Sequence, residues 1–531
     1  MANYWMIPRA KRTLTSLPLV LSLVSQTCLD KEWKTEDTLL LENHLEEKGL
    51  KKPGTKRDQG GSGGRTYRAW VEALGFIFKE TATGFYRLTK AGEALVSGSY
   101  SPTEIATFQL MKMQYPSPYS TKSNVNVNTR FGLYPFRFLL QLLKADGIEY
   151  LTEEEIALYV ITEGTSNSND CVSSVAKKII SHRKEECVTV DEEFAEKFSS
   201  RVKGKVRTPE KTYKSLKDIA NTFINHLEYT QIVSRDLHGK LWIKNHDLAE
   251  KILGGNHALA KFDKESSDKE TERFQRKFGL GPKDTRDDRT FAKGSNIRGS
   301  DISKKLVTMA FHDKARWSIL DVKDEFLIKE IAKETGLETT LVRKHLSTFA
   351  GKELDFTKSS YISMAFAGRR EATDFEKATA GLMGENGLGF KASHVGGPGS
   401  KKEPDIYIVE EVLQVSGIID TKAYSYYTIS NDHQNRMVHN YIPKYKDRNG
   451  TKLKFFMYIS GSFGKSLPKQ LEDMSKQTGL GAIGMTAEEV LEFVISETIP
   501  NEKKRNNLIA MAQQKKGIVE AKDLLVPDLK N

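Results

Sequence analysis

Cysteine is scarce: Cys28, Cys171 and Cys187 are the three in 531 residues, and no two stand as a CxxC pair. That excludes a zinc ribbon and a disulfide framework, and it suits a reducing cytosol. Cys171 and Cys187 flank His182, a spacing too loose to read as more than structural. Long apolar runs are also missing. No stretch approaches the ~18–20 apolar residues of a membrane span. Arg9, Lys11 and Arg12 before Leu17-Pro18-Leu19-Val20-Leu21 imitate a secretory leader, but the run is short, is interrupted by Thr, Ser and Pro, and no A-x-A site follows; a leader is not expected. A repeat of fixed period is absent as well.

What the chain does have is positive charge, a formal +11 with a pI near 9.1. A large basic protein usually meets a polyanion, because neutralising phosphates releases condensed counterions. Charge alone fits a merely basic soluble protein equally well. Hydrophobic residues at 38% allow real cores, and the length suggests three or four domains at ~100–200 residues each.

Along the chain, 59-QGGSGGRTYRAW-70 opens with glycines, giving a loop whose backbone can approach phosphates or a plain surface loop. Arg68 to Gly75 reads as a helix. Phe76–Phe78 and Phe85–Leu88 read as strands around Thr81-Ala82-Thr83-Gly84, and Thr89 caps the next helix. Helix, hairpin, helix is the winged-helix pattern. The same grammar returns later. Leu216 to Leu227 has helical apolar spacing, then Gln231–Ser234 and Lys240–Ile243 alternate around Asp236-Leu237-His238-Gly239. A third unit, 328-IKEIAKETGLETTLVRKHL-346, has Ala332, Gly336 and Val342 at helix-turn-helix spacing, with Arg343 and Lys344 on its second helix. It packs on DNA or on protein. Between the second and third units, 262–301 is charged, with little periodicity, and reads as a linker or DNA-tracking segment. A second linker is expected near Phe366–Arg370. Basic residues of these units, Arg65, Arg68, Lys90, Arg343 and Lys344, are the candidate DNA contacts.

The remainder reads as an α/β module: a helix from Ala372 to Met383, strands at Asp405–Val409, Gly417–Lys422 and Leu453–Ile459, and a helix over Ala487–Ile495. It holds 403-EPDIYIVEEVLQVSGIIDTKAYS-425. Asp420 and Lys422, two apart on a strand, face one side, and a hairpin connection can bring Asp405 beside them. Two close carboxylates raise one another's pKa, and a divalent cation relieves that; hard oxygen ligands suit Mg²⁺. The cation would activate a water for attack on a phosphodiester, with Lys422 orienting or deprotonating it and stabilising the transition state. A PD…DxK pattern also arises by chance as strand salt bridges. The apolar flanks Ile406, Ile408, Ile418 and Ile419 argue for buried strands, whose acids are unusual without a ligand. Glu376 on the preceding helix is a candidate third carboxylate, or a solvated helical glutamate.

The run 418-IIDTKAYS-425, with 394-HVGG-397 shortly before 404-PD-405 and with 455-FFMYISGSFG-464, resembles the FokI-type cleavage domain of the PD-(D/E)XK nucleases, over about Ala372 to the C-terminus. The resemblance implies that Asp405, Asp420 and Lys422 are the catalytic acid, acid and lysine, with Mg²⁺ on the two acids. Segments 75-GFIFKETATGFYRLTKAGEAL-95 and 114-QYPSPY-119 resemble, more loosely, the recognition region of AlwI-type endonucleases and related nicking endonucleases. Together these imply a type IIS restriction endonuclease of the bacterial cytoplasm that reads an asymmetric site in double-stranded DNA and cuts to one side. It would form a transient homodimer through its nuclease domain and work with a DNA methyltransferase. The segment 431-NDHQNRMVHNYI-442, which would form that dimer interface, does not clearly reproduce the family's acid and arginine positions. A nicking enzyme and a non-catalytic winged-helix regulator are the alternatives. The expected fold is multidomain: mostly α winged-helix and helix-turn-helix recognition modules followed by an α/β nuclease. Winged-helix-like domains are expected at 1–125 and 126–261, a charged linker at 262–301, a helix-turn-helix module at 302–370 and the nuclease at 371–531.

Overall fold

The computed structural model describes residues 1–52, 61–122, 126–184, 189–199, 207–235, 239–255, 258–291, 299–351, 353–368, 371–397, 402–424, 427–514 and 516–527. The chain divides into two compact units. One comprises 1–235, 240–313 and 328–352; the other 236–239, 314–327 and 353–531. The stretch 302–370, expected as one module, is therefore shared between them.

The first unit is helical, with two small hairpins. Helix α1 (Ser62–Ala73) starts earlier than the sequence suggests and leads into β1 (Ile77–Lys79) and β2 (Tyr86–Leu88), paired antiparallel with Phe78 opposite Arg87. Helix α2 (Lys90–Val96) follows, and Thr89 caps it as expected, accepting from the Gly92 amide. The second instance has α3 (Pro209–Tyr229), then β3 (Val233–Arg235) and β4 (Leu241–Ile243). The expected turn at 236–238 lies outside the described residues, as do Cys187, Gln59, Gly60, Arg369 and Arg370. The apolar N-terminal run forms the helix Leu17–Cys28, almost wholly buried in this unit's core.

The segment 262–301 departs from the expected linker. It contains α4 (Asp268–Phe278), opened by a Ser267–Glu270 capping box. Phe274 is buried, Lys112 donates to the Phe278 and Leu280 carbonyls, and Arg276 and Arg289 converge on Asp287. The linker reading misses it because the segment's dense charge masks an amphipathic spacing, with Phe274 and Phe278 one turn apart and Arg276 held by ion pairs. Helices α5 (Glu325–Thr335) and α6 (Thr339–Leu346) form the anticipated helix-turn-helix, with Ile328, Ile331, Val342 and Leu346 buried. Gly336 takes the turn at φ +69°, where a side chain would be strained.

The second unit is a six-stranded mixed sheet in the order β10-β9-β8-β7-β6-β5. Strands β5 (Lys391–His394), β6 (Ile406–Glu410) and β7 (Val415–Lys422) run antiparallel. Strands β8 (Lys452–Ser460), β9 (Gly481–Thr486) and β10 (Lys516–Ile518) continue parallel to β7. Both faces are covered, so β6 is buried throughout. Ile406, Ile408, Ile419, Phe455 and Met457 meet helices α7 (Glu353–Phe366), α8 (Ala372–Met383), α10 (Ala487–Ile495) and α11 (Asn501–Gln514). Tyr407, Ile418, Phe456 and Tyr458 meet α9 (Leu467–Thr478) and the helical stretch 431–445. Tyr361, Met364 and Ala365 of α7 lie in the first of these cores, ahead of the boundary expected at 371. Among the described residues, no helix is long and apolar enough to cross a membrane.

Candidate active site

Antiparallel pairing of β6 with β7 sets Ile406 opposite Ile419, so Asp405, one residue before, comes level with Asp420. Alternation along β7 then puts Asp420 and Lys422 on one side. Lys422 Nζ lies 2.6 Å from Asp420 Oδ2 and 3.7 Å from Asp405 Oδ2, and donates to the Thr421 carbonyl at 3.0 Å. Asp405 Oδ2 accepts from the Thr421 amide at 2.7 Å and its hydroxyl at 3.1 Å. The middle residue of the DxK run thus fixes the first acid, a role its position between two functional residues does not announce.

The loop 394-HVGG-397 wraps the other side of Asp405. The amides of Val395 and Gly396 both donate to the Asp405 carbonyl. A Cβ on Gly396 would stand 3.0 Å from Asp405 Cα, so the approach needs glycine. His394 Nε2 lies 2.9 Å from Glu376 Oε2 of α8, a pair joining helix to sheet beside the acids. Glu376 is accordingly not a solvated helical glutamate. His394 was not among the expected site residues; its place at the head of the HVGG run is the signal that could have marked it.

Burial, and then the neighbouring Asp420 carboxylate, push the Asp405 carboxyl well above the usual range, against the pull of Lys422. Burial opposes the Lys422 ammonium, but Asp420 and Asp405 outweigh it and hold its pKa above the ordinary lysine value. An aromatic row flanks the acids. Tyr424 stacks on Tyr427 at 6.0 Å, and Tyr427 contacts Tyr458 at 5.7 Å and bonds His433 Nδ1 at 3.0 Å. Burial, then Asp420, raise the Tyr441 phenol to about 12, so it remains a neutral donor.

The donor set fits a hard divalent cation. Asp405 and Asp420 bring two carboxylates to one lysine, and they share excess negative potential that a cation would relieve. No group of three or more His, Cys, Asp or Glu side chains forms a ready metal cage among those residues. Mg²⁺ does not require one, since it keeps several waters and takes one or two carboxylates.

Two known families match long parts of the chain. Residues 332–519 match the FokI cleavage domain, and residues 72–275 match the AlwI restriction endonuclease. The chain is a site-specific deoxyribonuclease. Two solved structures of restriction endonuclease FokI, one titled as bound to DNA, align with TM-scores of 0.28 each. They are 15% and 14% identical, over 98% and 95% of this chain and 99% and 97% of theirs. No curated protein matches it.

The candidate DNA contacts of this deoxyribonuclease differ in availability. Arg65, Arg343 and Lys344 are exposed. Arg68 is half-buried against two rings. Lys90 is turned to Asp284 at 2.9 Å, so its charge is already partnered. In the stretch 431–445, exposed Asp432 and half-buried Arg436 form an ion pair one turn apart.

Proposed function

We propose that the chain is a type IIS endonuclease. Its helical unit reads a short asymmetric site in double-stranded DNA through the two winged-helix-like hairpins, and its nuclease domain cuts at a fixed distance to one side. The observation that carries this reading is the convergence of Asp405, Asp420 and Lys422 at one end of a buried sheet in the part matching the FokI cleavage domain. Asp405 and Asp420 would hold Mg²⁺, which supplies a lowered water pKa and neutralises charge on the phosphate. Thr421 and the 394–397 backbone fix Asp405 so that the two acids keep their spacing. Lys422 orients the attacking water and donates to the phosphoryl oxygens as negative charge builds there. Glu376, anchored by His394, adds negative potential beside Asp405 and is the third acid of the site.

One Asp405–Asp420–Lys422 cluster serves one phosphodiester. A duplex has two strands of opposite polarity, so two nuclease domains related by a two-fold axis are the simple route to a double-strand cut. The stretch 431–442 is the proposed contact, with Asp432 and Arg436 at its surface. A paired DNA methyltransferase and a cytoplasmic setting complete the reading.

Incubating the protein with a plasmid and Mg²⁺ tests it. Discrete fragments are expected, and Asp420→Ala should lower cleavage by at least ~10²–10³-fold while sparing site binding. Near-normal cutting by Asp420→Ala would remove the assignment. On a one-site plasmid, linear product should rise more steeply than first order in enzyme; nicked circles that never become linear would mark a strand-specific nicking enzyme.

A further inference from the structure

Beside the β1–β2 hairpin opens a cavity of about 620 Å³, lined by Arg68, Trp33, Tyr86, Lys79, Gly84 and Glu32 among others. Arg68 projects from α1, and its guanidinium carbon lies 5.4 Å from the Trp33 ring centre and 5.4 Å from that of Tyr86. The two rings are themselves edge to face at 5.3 Å and 77°. Both are anchored. Trp33 Nε1 donates to Thr38 Oγ1 at 2.9 Å, and Tyr86 sits in β2 opposite Lys79, its carbonyl accepting from the Asp30 amide.

The surrounding cations of this module are occupied. Arg87 is buried against Glu80 and Asp30, Arg276 and Arg289 share Asp287, and Lys90 is on Asp284. Arg68 forms no ion pair among the described residues. Of the acids nearby, Glu32 faces Lys34 at 3.7 Å, and Glu72, one turn along α1 and in electrostatic reach of Arg68 and Lys79, has its carboxyl pushed up by burial against their pull. The cavity mouth therefore keeps a fixed guanidinium and the exposed Lys79.

We propose that Arg68 is a base-reading side chain of this enzyme, set against Trp33 and Tyr86 to contact a guanine edge of duplex DNA, while Lys79 grips a neighbouring phosphate. The proposal rests on the DNA-reading role given above to the helical unit. The physical argument is preorganisation. A phosphate contact needs positive charge but no set angle, as Lys79 offers. Guanine O6 and N7 accept two donors side by side, which arginine's planar fork presents at a fixed angle and lysine's freely rotating ammonium presents less rigidly. Two ring contacts restrict the rotamer freedom that would blur that angle, and the side chain lines the cavity.

The test is to sequence the ends produced by wild type, Arg68→Ala, Arg68→Lys and Lys79→Ala on a random-sequence duplex library with Mg²⁺. Wild type should show a fixed sequence at constant distance from the cut. Arg68→Ala should lose discrimination for guanine at one position of it by about 5- to 150-fold, the other positions standing. Arg68→Lys, which keeps the charge but not the rigid fork, should lose part of it. Lys79→Ala should weaken all sites alike and reduce the log–log salt slope of binding by about 0.9. A sequence preference unchanged in Arg68→Ala and Arg68→Lys, or weakened equally at every position, overturns the proposal. If Arg68→Ala fails to fold by thermal melting, Arg68→Lys decides alone. A wild-type enzyme with no preferred sequence overturns the DNA-reading role itself, and this proposal with it, an outcome distinct from the two before.

Discussion

Asp405, the proposed first acid of the site, illustrates how much of a side chain's behaviour is set by neighbours that do no chemistry. Its carboxylate is held by the amide and hydroxyl of Thr421, and its carbonyl by two amides of the 394–397 loop. The loop can come that close because Gly396 has no Cβ. Gly396→Ala should therefore shift Asp405 by a few tenths of an ångström or more, since the added atom would meet its Cα at 3.0 Å. Cleavage should fall on the order of 10²-fold, as expected when a reacting group is misplaced, with site binding intact. Single-turnover cleavage beside a binding assay checks this. Unchanged cleavage would mean that the loop yields and Asp405 does not depend on it.

At the scale of elements, α7 and α6 are the informative pair. Sequence composition puts the nuclease boundary near 371, yet Tyr361 of α7 packs on Phe375 at 5.1 Å and bonds the Thr379 hydroxyl. A fragment 353–531 should consequently be more soluble and melt higher than a fragment 372–531, which exposes that apolar surface; differential scanning fluorimetry of the two decides. Helix α6 carries Arg343 and Lys344 on its exposed side while Val342 and Leu346 face the core. Arg343→Ala distinguishes the roles such a helix can have. Loss of discrimination between sites means base reading, and a uniform loss of affinity means phosphate contact. Unchanged binding means that the helix-turn-helix serves protein packing. The exposed placement of Arg343 favours a change in binding, of about 1–3 kcal/mol if it reads a base.

Across the whole molecule, two buried histidines make stability depend on pH. His226 stacks on Phe136, and His312 contacts the Ser22 hydroxyl at 2.8 Å. Burial lowers the pKa of each to about 3. The unfolded chain takes up these protons near 6.5 and the folded one does not, so stability is full above that pH and falls as pH drops toward 3. The slope should be about 1.4 kcal/mol per pH unit for each histidine. Both ring nitrogens of His226 lack a hydrogen-bond partner among the described residues, so His226→Leu should be neutral or stabilising at pH 7 and should flatten the acid slope. Urea unfolding at pH 7, 6 and 5 measures both; an unaltered slope in His226→Leu would show that this ring is solvated.

The sequence by itself determined the elements with a strong local signature. The two hairpins, the Thr89 cap, the helix-turn-helix with Gly336 and the strands bearing Asp405, Asp420 and Lys422 follow from alternation, capping and turn chemistry over a few residues. The short strands β5, β9 and β10 did not show, because two of them are edges and β9 is rich in glycine and alanine. Helix α4 did not show because the dense charge of its segment reads as a linker and masks the amphipathic spacing of Phe274 and Phe278. What only the tertiary structure decided are the relations between distant segments. Lys90 belongs to Asp284, Glu376 belongs to His394, and α7 belongs to the nuclease core, while Trp33 reaches Arg68 across the hairpin. Each depends on which side chains meet after chain reversal, and spacing along the sequence carries no information about a partner brought up from elsewhere in the fold.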